Sequence, residues 1–180
     1  MRLFVAVLID DKLNREIDSY KSKFELKGIR KTPDNHITLV FIGDVKDVEK
    51  VKNALKSVKF KSFQLRTESL RIVPNMISPR RLEIDIVKDK CYDELLSMQK
   101  IIAGALQKSV NYKEKRKFIP HITIARIKHL NDAQRSELFD TFNRTAFTQR
   151  NFKVSNFYLV SSILTEKGPV YSVVETYSLS

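Results

Sequence analysis

Cysteine is almost missing from this chain. Cys91 stands alone, which excludes an internal disulfide and leaves no thiolate partners for a metal site. A lone thiol fits a reducing compartment. Four glycines and five prolines leave little room for long flexible linkers, and there is no low-complexity tract. No apolar run is long enough to span a membrane. The opening "MRLFVAVLIDDK" meets acidic residues at once and has no small-residue cleavage site, so it is expected to be the first strand of a cytoplasmic protein. Acidic charge is also short: 33 Lys and Arg face 21 Asp and Glu, a net charge of +12. Such a field attracts polyanions, RNA first among them, although a lysine-rich solvated surface gives the same total. Basic residues are densest in "NYKEKRKF" (111–118).

An apolar fraction of 42% is enough for a sizeable core in one domain of 180 residues, or in two small lobes that share a core. Arg2 to Ile9 is continuously apolar and predicts a strand buried on both faces. Leu13, Ile17, Tyr20 and Phe24 recur at helical spacing behind Asp10 or Asp11 as N-cap. "HITLVFIG" predicts a strand, and Val48, Val51, Leu55 and Val58 a short amphipathic helix. "FKSFQLRTESLRIV" and "RRLEIDIV" predict two strands, the second with plain alternation, then a long helix from about Asp89 to Ser109. The second half repeats this order: "HITIARIK" as strand, "NDAQRSELFDTF" as helix, then "FKVSNFYLVSSIL" and "PVYSVVETYSL" as strands joined by "TEKG". An internal repeat of this length predicts an α+β protein built from two related lobes, approximately 11–88 and 89–180, about a pseudo-twofold axis.

Two of the three histidines carry the same short pattern, "HITL" at His36 and "HITI" at His121, 85 positions apart. In a strand, residues i and i+2 share a face, so His36 sits with Thr38 and His121 with Thr123. The pseudo-symmetry brings both pairs to one cleft. Two imidazoles and two hydroxyls suit phosphoester chemistry: one histidine neutral as base, the other charged as acid, and threonines donating to phosphoryl oxygens. Either motif alone describes an ordinary packed core histidine; two copies at equivalent points of a repeat do not. Two histidines are too few for an ordinary zinc site, and His129 has no threonine partner.

The paired motifs, with "MRLFVAV", "HITLVFIGDV", "FIPHITIARIK" and "LTEKGPVYSVVETYSL", resemble the 2H phosphoesterase superfamily over essentially the whole chain. Within it the chain looks like the RNA 2′,3′-cyclic phosphodiesterases, historically called 2′-5′ RNA ligases. The resemblance implies a bilobal fold with two antiparallel sheets lining a cleft, helices outside, and neither metal nor cofactor. It implies opening of a terminal 2′,3′-cyclic phosphate to a 2′-phosphate, with reversible 2′-5′ joining of tRNA halves as an associated activity. His36 and His121 carry over as the catalytic pair, Thr38 and Thr123 as phosphate binders, and Arg126 as the arginine that comes after the second motif. Arg126 lies at an odd offset from His121 and in a regular strand would point away; a bulge or the strand's end would re-aim it. Two departures bear on substrate preference: Asn35 stands where the group often has an apolar residue, and "PRRLEIDI" lacks its aromatic and glycine.

The expected mechanism is direct hydrolysis, with His121 assigned as base toward water and His36 as acid toward the departing 3′ oxygen. The stretch 113–117 is expected to steer RNA ends or nucleotides toward the cleft of a monomer. The rival expectations are a 2′-5′ oligonucleotide phosphodiesterase and a non-catalytic RNA- or nucleotide-binding module using the same cleft.

Overall fold

The computed structural model describes residues 1–110, 112–114, 117–166 and 168–180. Two antiparallel sheets hold nine strands. The chain runs β1 (Arg2–Leu8), α1 (Asp11–Lys21), β2 (Ile29–Lys31), β3 (His36–Asp44), α2 (Val48–Lys56), β4 (Phe63–Val73), β5 (Arg81–Ile86), α3 (Lys90–Val110), β6 (His121–Ile127), α4 (Asp132–Arg144), β7 (Asn151–Val154), β8 (Asn156–Thr165) and β9 (Gly168–Ser178).

The helices start where side chains meet their free N–H groups. Asp10 accepts from the Leu13 amide at 2.8 Å, and Asp47 from that of Lys50 at 3.1 Å. Asp89 takes the amides of Cys91 and Tyr92. Asn131 and Gln134 form a reciprocal capping box. Each helix turns an apolar stripe to the sheets. Leu13, Ile17, Val51, Leu55, Leu95, Met98, Ile102 and Leu138 join the inward residues of both sheets in one continuous core. Truncating a buried member such as Ile84 to alanine removes about 2–5 kcal/mol of stability.

The two sheets are related copies. The first has the order β3-β1-β8-β9, and the second β2-β6-β5-β4-β7. Superposing β1 on β5 and β3 on β6 makes β8 equivalent to β4 and β9 to β7, with β2 added at one edge. The expected lobes at 11–88 and 89–180 are therefore not the spatial ones. β1 offers two hydrogen-bonding edges; β3 takes one and β8, from the far end of the chain, takes the other. In exchange, β4 from the first half pairs with β5 and β7 in the second sheet. The segment read as one strand, "FKVSNFYLVSSIL", breaks at Ser155, where the chain crosses from one sheet to the other. β2 is too short for periodicity to reveal it.

Among the described residues no helix is long and apolar enough to cross a membrane.

Candidate active site

β3 and β6 carry the two His-x-Thr motifs and face each other between the sheets. The alternation holds at the start of each strand: His36 and Thr38 are half-buried while Ile37 and Leu39 are in the core, and His121 and Thr123 repeat this over Ile122 and Ile124. Each strand then breaks register at the same point. Thr38 pairs with Ala6 and Val40 with Val5, so Leu39 is an extra residue. Thr123 pairs with Glu83 and Ala125 with Leu82, so Ile124 is an extra residue. These bulges put two successive side chains into the core and shift the phase of the residues beyond them. Arg126 is thereby returned to the cleft face, as the odd offset required. Phe41, its counterpart in the first strand, is exposed on the same side, with the Arg2 guanidinium 4.9 Å from its ring centre.

The second bulge is pinned. The Thr32 hydroxyl donates to the carbonyls of Thr123 and Ile124 at 2.9 and 3.1 Å, and the Thr32 amide donates to Ile124 at 2.9 Å. The carbonyl of Thr32 in turn accepts from the buried ammonium of Lys21, which also pairs with Asp18 at 3.2 Å.

The walls around the two motifs are equivalent in position and opposite in chemistry. Opposite His36, Thr38 and Phe41 stand Leu8, Ala6 and Phe4. Opposite His121, Thr123 and Arg126 stand Asp85, Glu83 and Arg81. His36 therefore lies in an apolar and aromatic pocket, its ring 5.2 Å from Phe4 and 5.4 Å edge-on from Tyr171 of β9. Burial, aided by the fields of His121, Lys21 and Arg126, lowers its pKa to about 4. At neutral pH it is an unprotonated imidazole.

His121 meets a different environment. Its Nδ1 lies 2.7 Å from the Ile119 carbonyl, which can only accept, so Nδ1 carries a proton. Its Nε2 lies 3.4 Å from Oε1 of Glu83, a carboxylate that is only 2% exposed. Glu83 also receives Arg81 Nε at 2.5 Å and lies 3.7 Å from Arg71, which reaches Asp85 at 3.0 Å. The alternation of "RRLEIDIV" left Glu83 on a polar face, and that face lines the cleft instead of open solvent. Tyr171, Lys21 and Thr32 carry no sequence signal of their own; only the fold brings them in.

Asn35, before the first motif, is buried. Its amide nitrogen donates to Asn14 and Asp18, while its carbonyl oxygen has no partner among the described residues.

From Thr38 and His121 a cleft of about 1150 Å³ runs past Phe41 and Phe118 and is lined by Lys46, Lys50, Lys113 and Lys117. Of the expected basic stretch, Lys113 and Lys117 stand on this cleft; Lys115 and Arg116 lie outside the described residues. Among the described residues no three His, Cys, Asp or Glu side chains gather as a metal-binding set.

Comparison with known proteins fits this geometry. An RNA 2′,3′-cyclic phosphodiesterase of Aquifex aeolicus is 30% identical over 188 residues, covering 99% of this chain and 97% of that protein. One of Archaeoglobus fulgidus is 29% identical over 182 residues, covering 98% and 99%. Among solved structures, TT0787 of Thermus thermophilus superposes with a TM-score of 0.77 at 24% identity, over 99% of this chain and 98% of that one. E. coli LigT complexed with 3′-AMP gives 0.76 at 18% identity, over 99% and 98%. These two likenesses show that the fold is shared. Residues 9–165 match the family model of the 2′-5′ RNA ligase superfamily, and the chain belongs to that superfamily.

Proposed function

We propose that this protein is a metal-independent 2′,3′-cyclic phosphodiesterase acting on RNA ends in the cytoplasm as a monomer, with the reverse 2′-5′ joining reaction, on tRNA halves among other RNAs, open to the same groups. The relatives from Aquifex and Archaeoglobus carry that activity in their names, and the LigT neighbour holds a nucleotide monophosphate. The observation that carries the reading is the asymmetry of the histidine pair: a neutral imidazole in an apolar pocket faces an imidazole backed by a buried carboxylate.

That asymmetry supports roles opposite to the sequence-based expectation. His36, unprotonated, takes a proton from water as the water oxygen attacks phosphorus. The bond from phosphorus to the 3′ oxygen breaks, and His121, as imidazolium, gives that oxygen its proton. The product is a 2′-phosphate beside a free 3′ hydroxyl, and solvent restores the two histidines. Attack and departure from opposite sides suit a base and an acid on facing strands. Thr38, Thr123 and Arg126 donate to the non-bridging oxygens as charge accumulates there. Phe41 offers an exposed aromatic face to the terminal base, and Lys113 and Lys117 add positive charge at that end of the cleft.

The test is hydrolysis of a nucleoside 2′,3′-cyclic phosphate in EDTA by wild type, His36→Ala and His121→Ala, with the product position read by phosphorus NMR. Activity in EDTA that is lost in both variants, with a 2′-phosphate product, supports the reading; a 3′-phosphate product or a metal requirement overturns it. A bridging 3′-sulfur leaving group departs without protonation. It is expected to restore turnover to His121→Ala and not to His36→Ala; the reverse result returns the acid role to His36.

A further inference from the structure

Three arginines stand in one row across the second sheet. Arg30 of β2 pairs with Arg126 of β6, and Arg126 pairs on its other side with Arg81 of β5. Directly opposed residues on neighbouring strands project to the same face, so the three guanidinium groups share the cleft side. Like charges placed this way repel and cost stability unless an anion lies among them. Arg81 has its anion, Glu83. Among the described residues neither Arg30 nor Arg126 makes an ion pair.

Arg30 is exposed and reaches toward the other sheet. Its guanidinium lies 3.7–4.0 Å from where a β-carbon would stand on Gly168, at the start of β9. That glycine has φ near +130°, a conformation that side-chain-bearing residues rarely adopt, and a β-carbon there would stand in ordinary contact with Arg30. Arg30 thus bridges from the edge strand of one sheet to the hairpin of the other, beside the mouth of the cleft. Tyr171, three residues into β9, marks the line from Arg30 to the reacting centre. Its ring touches His36, and burial raises its phenol while Arg126, Arg2 and Arg30 are the cations acting on it, against Asp34. From His36 the unpaired positive charge continues outward through Arg126 and Arg30, on the side of the histidine pair away from Phe41 and Lys113.

We propose that Arg30, beside Arg126, forms a second phosphate subsite that receives the internucleotide phosphodiester preceding the terminal cyclic phosphate. The protein therefore distinguishes the end of an RNA strand from a free cyclic mononucleotide. Arg126 stays with the reacting phosphate, and the Arg30 guanidinium next to it in the row meets the non-bridging oxygens of the preceding phosphodiester; charge-assisted hydrogen bonds of that kind are the strong ones.

This rests on the cyclic phosphodiesterase reading, and the experiment separates the two. kcat/KM is measured for a mononucleoside 2′,3′-cyclic phosphate and for trinucleotides with the same end, whose last internucleotide linkage is either a phosphodiester or a neutral methylphosphonate. Wild type is expected to favour the phosphodiester over the methylphosphonate by about tenfold. Arg30→Gln is expected to abolish that preference, chiefly through KM, with mononucleotide turnover within about twofold of wild type. Arg30→Lys keeps the charge and is expected to fall between. Equal turnover of the two trinucleotides by wild type overturns the subsite, and so does an equal loss on mononucleotide and trinucleotide in Arg30→Gln. Binding of a fluorescent trinucleotide bearing a terminal 2′-phosphate needs no turnover. Its slope of log K against log salt is expected to fall by about 0.7 in Arg30→Gln, the share of one phosphate contact on a single strand. Binding that shows this loss in a protein that hydrolyses nothing sinks the activity and keeps the subsite; turnover with an unchanged slope sinks the subsite and keeps the activity.

Discussion

Phe41 and Arg126 occupy the same place in two copies of one bulged strand. Each lies five residues beyond its motif histidine and just past an extra residue, and each stands opposite a side chain of its own kind, Phe4 or Arg81. One copy turns an aromatic face into the cleft, the other a cation. The pseudo-twofold frame is thus preserved in backbone while its chemistry is divided, a base-facing side and a phosphate-facing side.

Phe41→Ala tests the first half of that division. If the exposed ring stacks on a nucleobase, its loss removes about 1–3 kcal/mol of binding, so KM is expected to rise about tenfold with kcat nearly unchanged. A fall in kcat at constant KM would show that the ring serves the histidine strand instead.

Thr32→Val tests the pin beneath the second bulge. The change keeps shape and removes the hydroxyl that serves the carbonyls of Thr123 and Ile124. About 1 kcal/mol of stability is expected to go, measured by denaturant unfolding. kcat is expected to drop with it, because Thr123 and Arg126 lose the register that aims them.

The pH dependence is set by His36. A base whose pKa lies at about 4 is available throughout the neutral range, so the acid limb of kcat/KM is expected at about 4. A limb near 6.5 would mean that His36 is not the base. Stability carries the same signature. The folded pKa lies below the ordinary value of 6.5, so between these two pH values the unfolded chain takes up a proton that the folded one refuses. Stability is therefore full above about pH 6.5 and falls as the pH drops toward 4, by about 3 kcal/mol from this group. His36→Asn is expected to flatten that share of the profile.

Glu83→Gln keeps the volume of the buried carboxylate and removes its charge. Arg81 then loses its anion while Arg71 keeps Asp85, and both reach solvent, so the expected cost is about 1–2 kcal/mol. kcat is expected to fall more than KM rises, because His121 loses the partner of its charged form. Recovery of kcat in Glu83→Asp, with stability still reduced, would mark a positioning role rather than simple structural support.

The features legible in the sequence and those hidden from it divide along a physical line. The His-x-Thr faces, the first helix's cap, at Asp10 of the two candidates, and the long third helix are local, governed by periodicity and capping, and they stand where expected. The odd offset of Arg126 is visible in the sequence, but the bulge that resolves it is a matter of register against β5 and of a hydroxyl at Thr32, ninety positions away. Glu83 reads as one polar residue in an alternating strand; what gathers on it are Arg71, Arg81 and His121 from three adjacent strands, and that pairing is not written in its own segment. The membership of the two sheets is hidden for the same reason, since a strand's own residues say that it pairs and not with whom.

The crossing of strands between the two sheets also fixes the order in which the site can be made. His36 leaves the ribosome early, but the aromatic lid on its ring, Tyr171, is on β9, and β8 is the partner that completes the sheet beneath it. A nascent chain stalled before β8 holds both histidines and every strand of the second sheet, but not the finished wall around His36. Its first imidazole is open to water and titrates as an ordinary one. Activity in this architecture is an all-or-none property of both sheets together, and neither half is expected to be rescued by supplying its own motif alone.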